Sequence, residues 1–169
     1  PLAEGTADRP FPNWSESRWL GVGSARPACR AVVDSHTGAA PFDGRGRPTP
    51  RSVMAVQVQL IPLSGVHEEG GGLCFLLQVD SCTILLDCGW SERTDTDHLE
   101  ALKGVVGQVD AVLISHSDIA HLGALPYATG KLGLSAPVYG TIPVHKMGQM
   151  FLYDLYLSKR ACEDFEVFD

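Results

Sequence analysis

The sequence predicts an α/β fold, a mixed β-sheet with flanking helices. Three observations point there. Short apolar runs of strand length recur between residues 56 and 139, most of them bounded by Gly, Pro, Asp or Ser. Two longer segments, 94–106 and 141–158, space their apolar residues three and four apart, as helices do. Between them, residues 110–126 read as a strand that passes through a polar loop into a helix starting near Leu122. Sites in α/β proteins form at such carboxyl ends of strands.

Taken in order, residues 1–53 hold seven of the eleven prolines, scattered glycines and no apolar period. Such a composition buries too little surface to offset the entropy of ordering, so a disordered arm is expected. No charged region followed by an apolar stretch marks a secretory signal. Arginine without lysine suits an organellar transit peptide, but five acids and Phe11, Trp14 and Trp19 stand against it.

Residues 56–60 alternate apolar and polar, the pattern of a half-buried strand, which Pro62 should stop. The 64–72 segment, with Gly70, Gly71 and Gly72, reads as a flexible connection. It lacks the spacing of a phosphate cradle, and a strand rather than a helix follows it. Runs at 73–79 and 83–86 flank Asp80 and Ser81 and predict a hairpin whose second strand ends in Asp87-Cys88-Gly89. Residues 94–106 carry Leu99, Leu102, Val105 and Val106 at helical spacing. Acids come early and Lys103 late, which suits the helix dipole, and His98 is expected on the solvated face. Residues 136–139 predict a short strand. Thr141 is the expected N-cap of a helix to about Ser158, with Pro143 in its first turn. Its Met147, Met150, Phe151 and Leu155 are expected in the core and His145 at the surface.

Composition narrows the function. The 169 residues carry a formal net charge of −7; seven arginines against five acids give residues 1–53 a charge of +2, which leaves residues 54–169 at −9. A surface of that sign repels phosphate at long range, so the folded part is a poor RNA-binding module by itself. No apolar run approaches the ~20 residues that span a bilayer, and no membrane partner is expected. The five cysteines are odd in number and show no metal spacing. Cys74, Cys82 and Cys88 lie in strand-like runs and are expected as reduced, packed thiols, which suits a reducing compartment.

His116, Asp118 and His121 place three metal-ligand side chains in one loop after the apolar run 111–114. The loop resembles the metal-binding pattern H-x-H-x-D-H of the metallo-β-lactamase superfamily. His116 falls on the first histidine and His121 on the last; Asp118 stands at the second histidine and Ala120 at the aspartate. Residues 121–134 (His-Leu-Gly-Ala-Leu-Pro-Tyr-Ala-Thr-Gly-Lys-Leu-Gly-Leu) and 141–156 narrow the likeness further. They are similar to one branch, the second subunits of the cleavage and polyadenylation specificity factor, and the similarity runs from about Met54 to Asp169.

The resemblance implies the first half of a metallo-β-lactamase-type α/β/β/α sandwich. Residues 54–169 are then the N-terminal part of that domain, truncated before its later histidine and aspartate ligands. Residues 1–53 become an upstream extension, with Met54 as the natural initiator. Asp87 takes the role of a structural brace that holds the loop by hydrogen bonds, although a strand-end aspartate capping a turn needs nearly the same geometry. A two-zinc hydrolase polarises the scissile phosphate between paired ions, and Ala120 supplies no donor to the second of them. No catalytic residue and no metal site is therefore expected, His116, Asp118 and His121 being vestigial positions. The competing readings are one residual zinc on those three donors, and an active zinc-dependent hydrolase or nuclease. The branch implies a non-catalytic, nuclear scaffolding subunit in pre-mRNA 3′-end cleavage and polyadenylation, without a cofactor. Its partners would be a related catalytic subunit and other 3′-processing subunits, with pre-mRNA met through the complex.

Overall fold

The computed structural model describes residues 45, 56–65, 71–91, 94 and 96–162. The expectations for residues 1–53 lie outside the described residues except at Arg45, as does the side chain of His98. Strands β1 (Val58–Ser64), β2 (Cys74–Val79), β3 (Cys82–Leu86), β4 (Ala111–Leu113) and β5 (Val138–Tyr139) form one sheet in that order. The first three pair antiparallel and the last three parallel, so the sheet is mixed. Connection length sets this alternation. Asp80 and Ser81 alone turn the β2–β3 hairpin, whereas parallel neighbours need a crossover, here made of helices. Helix α1 (Glu100–Val105), between 3-10 turns at Asp97–Leu99 and Val106–Gln108, joins β3 to β4. Helices α2 (Ile119–Leu122) and α3 (Leu125–Gly130) join β4 to β5, and α4 (Ile142–Cys162) follows.

The hairpin turn is fixed by its own side chain. Asp80 takes φ +51, its Oδ1 accepts from the Gln57 amide at 3.0 Å, and its own amide donates to Gln57 O at 2.9 Å. Register then sorts the sheet's side chains by face. Leu76, Leu85, Val112 and Val138 share one face and join Leu102, Leu122, Leu125 and Leu152 in a single buried core. Trp90 packs on Tyr127 there, ring centroids 5.5 Å apart and planes tilted by 45°. Buried Asp110 closes the core's edge: its Oδ2 accepts from Thr83 N at 2.9 Å, and its amide donates to Thr83 O. The opposite face carries the pairs Val58/Val79, Leu60/Leu77 and Leu86/Leu113. Val58 is 64% exposed and Leu60 56%, so among the described residues no layer covers that face.

Several expectations need correcting. Pro62 does not stop β1; it pairs with Phe75, on an edge strand where proline is tolerated, and the register shifts only between Pro62 and Ser64. Nor are residues 56–60 half-buried: all are exposed, with Val58 and Leu60 on the open face, and it is Ile61 and Leu63 that pack on the core. The expected 94–106 helix begins only at Asp97, since Thr94 sits at φ +53. A helix starts at Ile119 rather than Leu122, so His121 belongs to α2. Cys82 is disulfide-bonded rather than free. It opens β3 opposite Val79 and stands outside the core that encloses Cys74 and Cys88.

The largest correction concerns α4. Thr141 caps it as expected, with Oγ1 accepting from Val144 N at 3.4 Å. The buried stripe, however, is His145, Gly148, Leu152 and Tyr156, while Met147, Met150 and Phe151 are exposed. Gly148 decides the choice: a Cβ there would stand 2.5 Å from Leu122 Cδ2, so only this side of the helix approaches α2 closely. His145 is thereby carried inside, contrary to its expected surface position. The helix also runs on past Ser158 to Cys162.

Candidate functional site

The loop after β4 is held at its floor by backbone bonds from two segments, Leu73 and residues 87–90. Asp87 N donates to Leu113 O (2.8 Å), Cys88 N to His121 O (2.7 Å), Trp90 N to Ile119 O (2.9 Å) and Leu73 N to Ala120 O (2.7 Å). Two glycines allow this junction. A Cβ on Gly72 would lie 2.3 Å from Gly89 C, and one on Gly89 1.6 Å from Ala120 O. The 115–121 loop is thus set by main-chain contacts.

Side chains add a second set of links. Asp87, at φ +58, accepts from the Ser115 amide at 2.8 Å through Oδ1. The Ser115 hydroxyl donates to the same carboxylate, 3.0 Å from Oδ1 and 2.8 Å from Oδ2. Ser115 Oγ also lies 2.8 Å from His116 Nδ1. A serine has one proton to give, and here it goes to Asp87, so the His116 Nδ1–H must donate to Oγ. On the other side His121 Nδ1–H donates to Asp118 Oδ1 at 2.6 Å. The two imidazoles then lie with centroids 4.5 Å apart and planes tilted by 39°. Each keeps its Nε2 lone pair when neutral.

This arrangement defines what the site can hold. Ala120 offers no donor atom. Asp118 turns back onto His121, acting as the carboxylate behind a ring that orients an imidazole. His116 and His121 keep their Nε2 atoms and Asp118 a second carboxylate oxygen, whereas a hydrolytic pair of ions takes more donors than these. Among the described residues no group of three or more His, Cys, Asp or Glu is arranged to hold a metal. The donor set among the described residues does not fit a two-zinc centre. The structure holds His116, Asp118 and His121 in one loop and sets Asp87 against it through Ser115. Sequence reasoning missed Ser115, the bridge between brace and imidazole; a lone serine after a strand carries no signal until the fold sets it beside Asp87.

Asp87→Ala is expected to lower stability by about 1–3 kcal/mol, because the Ser115 amide loses its acceptor. The same change puts alanine at a positive φ, which asparagine tolerates better, so Asp87→Asn should recover part of the loss. Chemical denaturation with hydrogen exchange at Ser115 measures both. A Ser115 amide equally protected in Asp87→Ala would remove Asp87 from the role of brace.

A profile described as a metallo-beta-lactamase superfamily domain matches residues 76–168. The chain is 53% identical over 115 residues to "Cleavage and polyadenylation specificity factor subunit 2" of Oryza sativa subsp. japonica, covering 68% of this chain and 15% of that protein. It is 53% identical over 111 residues to "Probable cleavage and polyadenylation specificity factor subunit 2" of Drosophila melanogaster, covering 66% of this chain and 15% of that one. Among solved structures, human tRNase Z, short form, matches with a TM-score of 0.38 and 16% identity, over 59% of this chain and 40% of its own. The chain spans about 15% of the length of these curated relatives.

Proposed function

The chain belongs to the metallo-β-lactamase superfamily, and from that premise we propose that it is part of a non-catalytic scaffolding subunit of a cleavage and polyadenylation specificity factor. It acts in the nucleus, in pre-mRNA 3′-end formation, beside a related subunit that keeps an intact metal loop and cuts the transcript. The subunit-2 relatives at 53% identity support the first part of this reading. The observation that carries the second part is the turning inward of the loop's donors. Asp118 orients His121, Ser115 links His116 to Asp87, and Ala120 offers nothing. A loop whose Nδ1 atoms, hydroxyl and carboxylates are tied to one another, on a floor of backbone bonds, is suited to hold its shape as a scaffold. The charge of −9 on residues 54–169 supports contact with pre-mRNA through other subunits rather than through this surface.

Metal analysis and an RNA-cleavage assay on the purified full-length protein test the proposal. The expected result is zinc far below one ion per chain and no cleavage that a chelator abolishes. Two tightly held zincs with chelator-sensitive cleavage would instead establish an active nuclease.

A further inference from the structure

Cys74 and Cys88 are free thiols, 2% and 0% exposed, and neither has a part in the loop's side-chain network. The β2–β3 ladder runs from Val79/Cys82 to Phe75/Leu86. Asp87, at φ +58, then takes up one extra residue, and Gly89 N donates to Leu73 O at 2.9 Å. That bond makes Leu73 and Gly89 partners, so Cys74 and Cys88 face each other in the adjoining pair, which has no mutual backbone bonds. Such pairs hold their Cα atoms about 4.5 Å apart, within the ~4.4–6.8 Å that a disulfide spans. The Cys74 side chain first, and burial second, push the Cys88 thiol well above its usual range, so its thiolate is scarce. Cys88 also carries the loop: its amide donates to His121 O, and its carbonyl accepts from Ala124 N.

We propose that Cys74 and Cys88 form an oxidisable dithiol, which a hydroperoxide converts to a disulfide that pins the floor of the His116–His121 loop. One sulfur, as thiolate, attacks the peroxide; its O–O bond breaks and a sulfenic acid forms. The second sulfur then attacks the sulfenic sulfur, and its hydroxyl leaves as water. With hydrogen peroxide, two thiols and one peroxide give one disulfide and two waters, the sulfurs losing the two electrons that the O–O bond gains. Full burial keeps the pair slow and confines the reaction to small oxidants. The product ties β2 to a residue whose amide holds His121 O in α2 and whose carbonyl accepts from Ala124 N just before α3.

The test treats the full-length protein with hydrogen peroxide, caps remaining thiols, and reads peptides by mass spectrometry with parallel hydrogen exchange. Expected are a Cys74–Cys88 cross-link that a reductant reverses and exchange slowed several-fold at the Leu122 and Ala124 amides. In Cys88→Ser, Cys74 should be trapped as a sulfenic acid instead. If that variant fails to fold, the wild-type peptide map decides alone. Thiols that stay reduced until the protein unfolds, or that reach sulfinic acid singly without a cross-link, would overturn the proposal.

Discussion

Gly89→Ala is expected to prevent folding. The added Cβ would stand 1.6 Å from Ala120 O, 2.4 Å from Ala120 C and 2.7 Å from Leu73 N. All three are backbone atoms, so no side-chain rotation relieves the collision. Either the segment after β3 or the α2 turn must move, and either motion breaks the junction of Leu73 with Ala120, Gly89 with Leu73 and Trp90 with Ile119. Each such bond contributes about 0.5–1.5 kcal/mol net. The greater loss is Trp90, which is 2% exposed and packs on Tyr127; freeing a buried aromatic costs about 3–5 kcal/mol. Together these approach the whole stability of a domain, about 5–15 kcal/mol. Far-UV circular dichroism and limited proteolysis of the variant should show no folded product. Gly104→Ala in α1 is the matched control. Nothing lies within 4 Å of its added Cβ, and a helical glycine replaced by alanine should gain about 0.5–1 kcal/mol. Wild-type stability in Gly89→Ala would mean that the three segments do not meet as described.

What the sequence disclosed and what it withheld divide along one physical line. The hairpin around Asp80 and Ser81 was legible because ladder period and turn chemistry are local, and the N-cap at Thr141 was legible for the same reason. The inward face of α4 was not. Its sequence carries two apolar stripes, and periodicity gives their angle without saying which one faces the core. The deciding fact is the fit of Gly148 to Leu122, residues 26 apart in sequence. Pro62 misled because its cost depends on whether the strand lies at an edge, a property of the sheet and not of the residue. At the site, spacing and resemblance drew attention to His116, Asp118 and His121. The direction in which Asp118 points, and the place of Ser115 between Asp87 and His116, needed the fold.

Expressed alone, residues 54–169 are expected to self-associate instead of remaining a well-ordered monomer. The register gathers Val58, Leu60, Leu77, Ile84, Leu86 and Leu113 on one face of the sheet, and the most exposed of them reach 64%. A typical monomer's largest apolar patch is about 300–600 Å², and a five-stranded face without a covering layer among the described residues works toward or beyond that limit. Among the described residues β1 is an edge strand, and its outer backbone groups have no strand beside them. The charge of −9 opposes association. Screening decides between the two effects: at physiological salt the Debye length is about 8 Å, so repulsion fades while apolar burial does not. Light scattering should therefore show larger particles as salt rises, with binding of a hydrophobic dye and a broad thermal transition. Leu60→Lys together with Leu113→Glu should reduce the association several-fold, because both side chains stand on the open face and outside the core. A monodisperse monomer with a sharp cooperative melt would show that the face is covered by the chain itself. Unchanged association in the double variant would place the adhesive surface elsewhere, with the exposed Met147, Met150 and Phe151 of α4 as the next surface to probe.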